Sequence, residues 1–175
     1  KSRHEFSENA RGGGHINLQP DIDGVMRRIP LVLSLSDTRI PQLSFAVALD
    51  LWKTDLRNVS IHRHRLEILQ GPKRISVPLD SNDNFIINWT GRWQESFTHF
   101  SYVDLVSSYA QLKKGQAPEI PLNTFKDKIC FIGTTAGGVY DIRPTPLEPS
   151  YPAVGVNLTI LDNLMQRQFI TILSR

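Results

Sequence analysis

The sequence is short of cysteine and methionine, one and two residues in 175, and it has no long apolar run. With Cys130 alone, no disulfide can form within the chain, so a disulfide-stapled fold is excluded and cysteine pairing says nothing of the compartment. Set in the apolar run Ile129-Cys130-Phe131-Ile132, Cys130 reads as a small buried core residue. No stretch approaches the ~18 apolar residues of a membrane-spanning helix. Excess charge is also scarce. The 20 Lys and Arg against 17 Asp and Glu leave +3, which demands no polyanionic partner. The basic pairs Arg27-Arg28, Lys73-Arg74 and Lys113-Lys114 are dispersed, so nucleic acid is not expected as a partner. Low-complexity tracts are sparse, and 40% of residues are hydrophobic, as in a folded globule. The polar opening "KSRHEFSENA" carries no signal-peptide pattern, and both ends read as those of an excised fragment.

What is present suggests a single α/β domain, with a mixed parallel/antiparallel sheet of six or seven strands packed by about three helices. Residues 1–14, ending in three glycines, read as a flexible leading segment, and residues 15–175 as the domain. Asp23-Gly24 marks a hairpin turn between two strands, with Val25, Arg27 and Ile29 on one face and Met26 and Arg28 on the other. Residues 42–53 form a helix buried over much of its surface, with Pro41 suited to its first position. Strand-like runs flank Gln70-Gly71-Pro72, and "NFIINWTG" is a further short strand. The clearest helix spans 102–113. Ser101 and Asp104 have capping-box spacing, Tyr102, Leu105, Val106, Tyr109 and Leu112 repeat on one face, and Gly115 stops it. Residues 128–132 are wholly apolar after Lys128, which favours a central strand of a covered sheet. The last helix places Val154, Leu158, Leu161, Met165 and Phe169 on one stripe.

Motifs of catalysis and cofactor binding are missing one by one. In "GTTAGGVYDIRPTP", Gly133 and Gly138 match the first spacing of a phosphate loop. Val139 and Tyr140 stand where the Lys and Ser/Thr that hold phosphate and magnesium are needed. The glycines then serve a sharp turn out of a strand, with Asp141 and Arg143 pairing or capping locally. His62 and His64 would share one strand face, but a zinc site needs further ligands, and His4, His15 and His99 are scattered. Asp21-x-Asp23-Gly24 begins like a calcium loop, yet Val25 and Val32 occupy the fifth and twelfth positions. No Gly-x-Ser-x-Gly elbow is present. No cofactor and no metal is expected.

Taken in order, several segments resemble one family. They are "GGGHINLQPDIDGVMRRIPLVL", "PQLSFAVAL", "INWTG", "FSYVDLV", "FKDKICFIGTTAGGVYDIRPTP" and "AVGVNLTILDNLM". Together, from about residue 12 to 170, they are similar to the second type of CHASE domain, the extracellular sensory domain associated with cyclases and histidine kinases. The resemblance implies an extracytoplasmic input module of a bacterial membrane receptor, with no catalysis of its own. Its implied partners are an unknown small molecule or other stimulus, the flanking transmembrane helices and a cytoplasmic kinase or nucleotide cyclase of the same chain, with a homodimer as one possible assembly. Two departures stand out. The family usually carries a further α/β portion before the Asp-x-Asp-Gly segment, which suggests a C-terminal portion with an incomplete sheet. Its last helix often reads Gly-Val-Glu-x-His-Ala, where this chain has Asn157 and Thr159. A ligand site is expected where the loop 133–146 meets the Asp-Gly turn, with Asp23, Arg28, Asp141 and Arg143 as polar candidates. Salt bridges that fix loops are the competing use of these four. Two other functions remain open: a small-molecule hydrolase or transferase using Asp23 or Asp141 as general base, and a structural dimerisation domain.

Overall fold

The computed structural model describes residues 8–135 and 142–172. Alternating apolar residues build its best-formed sheet, a meander of β4 (Val59–His62), β5 (Arg65–Gln70) and β6 (Lys73–Pro78). Antiparallel register sets Val59 and Ile75 beside Ile68, and Ile61 and Val77 beside Leu66, so one face is apolar and buried. Before it lie β1 (Arg28–Ile29), the hairpin of β2 (Val32–Leu35) and β3 (Thr38–Pro41), and helix α1 (Leu43–Leu51). After it come β7 (Phe85–Ile86), the short α2 (Trp93–Ser96), α3 (Tyr102–Lys113), β8 (Ile142–Arg143), β9 (Tyr151–Pro152) and α4 (Ala153–Gln166). All ladders among the described residues are antiparallel, and the parallel component is an isolated bridge between His15 and Gln42. The class is mixed α/β in one domain, with several small sheets instead of one large one.

The core is one cluster. Phe45, Ala48 and Leu49 of α1 meet Val156, Ile160 and Leu164 of α4, and the apolar face of the meander joins them. Each fully buried Leu, Ile or Phe here contributes about 1.5–3 kcal/mol relative to exposure. No helix among the described residues is long and apolar enough to cross a membrane.

Several expectations need correction. Arg63 and His64, at φ of 48° and 60°, form the tight turn between β4 and β5, so His62 and His64 do not share a strand face. The Asp23-Gly24 turn exists, closed by Gly24 N–H donating to the Asp21 carbonyl at 2.8 Å, but its flanks do not pair as a hairpin. β1 pairs instead with β7, and Met26 is fully buried alongside Ile29. Pro41 ends β3, and Gln42 caps α1 with its side-chain oxygen. α3 has the expected bounds, yet Ser101 makes no capping bond and the apolar stripe is open. Tyr102, Val106 and Tyr109 are more than half exposed.

Residues 128–132 form no strand, Cys130 is exposed, and Ile132 is 82% exposed. A buried strand needs neighbours for its backbone groups, and no described strand pairs with this segment. On α4 the buried face runs through Ala153, Val156, Asn157, Ile160 and Leu164, rotated from the expected stripe. Counting only apolar residues missed this, because Asn157 and Asn163 turn inward with their polar groups paired.

Candidate functional site

The Asp-x-Asp-Gly segment folds into a compact set of ion pairs. The Arg27 guanidinium donates to both carboxylate oxygens of Asp23, at 2.9 and 2.7 Å, and to Asp21 at 3.1 Å. Those bonds, and the Val25 amide 3.1 Å from Asp23, hold the Asp23 carboxyl at a pKa of about 2. Arg28 points the other way and donates to Asp80 at 2.8 Å. Its Nε lies 3.0 Å from Asp21 as an ion pair without hydrogen-bond alignment. Asp80 is almost wholly buried. Burial alone would raise its pKa, but the amides of Asn84 and Asn82 and the Arg28 guanidinium outweigh that and lower it.

Of the four candidates, the structure brings Asp23 and Arg28 into one ion-pair cluster through Asp21 and Arg27. Arg143 lies on β8, where its guanidinium donates to the Ile142 carbonyl at 3.0 Å. Asp141 lies outside the described residues. The loop and the turn do meet, through the Met26 amide donating to the Pro144 carbonyl at 2.8 Å. Beyond that point Thr145 and Glu148 lock the loop onto itself, and the Glu148 carboxylate accepts from the Trp93 amide at 3.2 Å. Among the described residues no three His, Cys, Asp or Glu side chains come together as metal ligands.

A second polar feature escaped the sequence reading. The inward face of α4 carries a seam of paired amides and hydroxyls. Asn157 Oδ1 accepts from Gln42 Nε2 at 2.6 Å, its backbone carbonyl accepts from Ser44 Oγ at 2.7 Å, and its Nδ2 donates to Ala153 at 3.0 Å. Gln42 Oε1 meanwhile accepts from the amides of Ser44 and Phe45, so one side chain caps α1 and ties it to α4. Nearly two turns further on, the Asn163 amide pairs with both backbone groups of Asn88, at 2.8 and 3.1 Å. Thr159 bonds the Tyr151 hydroxyl at 3.2 Å and donates to the Gly155 carbonyl at 2.9 Å. The sequence signal was three polar residues, Asn157, Thr159 and Asn163, inside a largely apolar helix. Such residues are buried only when every polar group finds a partner.

The arrangement joins the loop to the turn, and the two core helices to each other, by directional bonds. No curated protein and no solved structure matches the chain. The family description CHASE2 domain matches residues 2–175, and the chain belongs to this family of extracellular sensory domains of signalling receptors.

Proposed function

We propose that this chain is the extracytoplasmic input domain of a bacterial transmembrane receptor. It detects a stimulus and passes it to a cytoplasmic kinase or nucleotide cyclase of the same polypeptide, without catalysis of its own. Membership of the CHASE2 family over residues 2–175 carries the reading. The mechanism is a population shift: a stimulus that favours one arrangement of the loop and α4 biases the output helix. The Gln42–Asn157 and Asn88–Asn163 pairs support α4 as that helix, because a shift of α4 must break or carry along fixed partners. Asp23, Arg28, Asp141 and Arg143 are the polar candidates where the turn meets the loop.

Sequencing the native reading frame on both sides tests the reading. An apolar span upstream, several after Arg175, and a kinase or cyclase beyond them is the expected result. Their absence on both sides overturns it. At residue level, Asp141→Ala is expected to abolish signalling at an unchanged melting temperature. A collapsed fold instead assigns Asp141 to scaffolding. The competing hydrolase reading is weakened at Asp23, since a carboxylate with a pKa of about 2 is a poor proton acceptor near neutral pH.

A second reading, that the domain is part of a larger one, draws on residues 128–132. Ile129, Cys130 and Ile132 are exposed although the pattern is that of a covered strand, while Phe131 packs partly against the core. In this reading a further segment of the receptor pairs with them and completes the sheet. Slow amide hydrogen exchange at Ile129–Ile132 in the full receptor, against fast exchange in these 175 residues alone, is the expected outcome.

A further inference from the structure

A cleft of about 250 Å³ opens beside the first turn of α4. Its polar wall is made by Gln94, Thr134, Thr135 and Ser150, and its apolar wall by Trp93, Ile142 and Pro152. Among the described residues, no charged side chain lines it. Thr134, Thr135, Ser150 and Gln94 are exposed, so their hydroxyls and amide can reach a ligand with donors and acceptors. Both walls are fixed to α4. A Cβ on Gly133, next to Thr134, would lie 2.5 Å from Val154, and one on Gly155 would lie 2.6 Å from the Trp93 ring. Ser150 and Pro152 lead directly into the helix.

We propose that this cleft binds a small uncharged polyhydroxy compound, a monosaccharide or polyol, as the ligand the domain senses. The inference rests on the sensory reading and adds the chemistry of the stimulus. Hydroxyls and an amide exchange donors and acceptors with ligand hydroxyls, while Ile142, Pro152 and the indole take up a C–H face. The described lining offers a phosphate or a zwitterion no counter-charge for the hydration it would lose. The volume lies just below the usual ~300–1,000 Å³ of small-molecule pockets, which limits the ligand to about one ring. A ligand wedged between Thr134 and Trp93 acts on the two contacts that hold the start of α4.

The test titrates the purified chain with D-glucose, D-galactose, D-mannose and sorbitol, following tryptophan fluorescence, with glycine and inorganic phosphate as charged comparators. The expected result is saturable binding of at least one neutral compound in the millimolar range or tighter, weakened about tenfold by the double substitution Thr134→Val, Ser150→Ala. Both positions are exposed, so the variant is expected to melt as the parent does. Saturation by glycine or phosphate alone overturns the ligand class. Binding that ignores the double substitution, or no saturable binding by any probe, overturns the site. None of these failures touches the sensory reading, which the flanking reading frame tests. Conversely, a frame without apolar spans removes the sensory reading even if a sugar binds.

Discussion

Replacing Asn157 by alanine leaves the Gln42 amide N–H buried without its acceptor, while the Ser44 hydroxyl keeps the backbone carbonyl. The expected loss is about 1–3 kcal/mol, read as a lower denaturation midpoint at unchanged slope. His15 makes a different residue-scale prediction. Its ring is desolvated, which lowers its pKa below 6.5, and the nearby Pro30 carbonyl only partly opposes this. Neither ring nitrogen has an aligned hydrogen-bond partner. The unfolded chain therefore binds the proton more readily than the fold does. The stability from neutral His15 is complete above 6.5 and is lost as pH falls from there toward the folded pKa. Denaturation midpoints should fall between about pH 7.5 and about pH 5, and His15→Phe should flatten that slope. Asp80 acts in a separate window. Its lowered pKa gives stability that is present above 3.8 and lost as pH falls through the folded value. Residue identity alone announced neither group, because both effects come from what the fold packs around the side chain.

At the scale of elements, the β5–β6 half of the meander and the helix over 102–113 were the most legible parts, whereas the β4–β5 turn at Arg63 and His64 was read as strand. Strand runs either side of Gly71 became β5 and β6, and the periodicity of 102–113 fixed the bounds of α3. The orientation of helices was less legible. An apolar stripe implies a partner, and α3 shows its stripe largely to solvent. Substituting Val106→Lys in these 175 residues should therefore change stability by no more than about 0.5 kcal/mol, measured by thermal melting. On α4 the inward face was misread because the polar residues belong to it. Gly155 belongs there too. A methyl group on it would sit 2.6 Å from carbons of both Trp93 and Tyr151. Gly155→Ala is expected to cost about 1–3 kcal/mol through overpacking, despite alanine's better helix propensity. A melting temperature equal to that of the parent would show that the two rings yield without strain.

For the whole molecule, family and class were legible because ordered motifs survive where single motifs are weak. The candidate site was only partly legible: the turn and the loop touch through Met26 and Pro144, yet Asp23 and Arg28 spend their charges on neighbouring ion pairs. Spacing along a chain does not say which partner a charge will choose. The open segment at 128–132 has a practical consequence for handling the protein. From Ile129 to Thr135 the chain carries no charge and no proline, and it is rich in β-branched residues. Outside any described ladder and exposed except at Phe131, such a stretch is a template for stacking between molecules, so concentrated solutions should slowly form thioflavin-positive aggregates. A charged gatekeeper, Ile132→Lys, placed where the side chain already faces water, should slow that process without lowering the melting temperature.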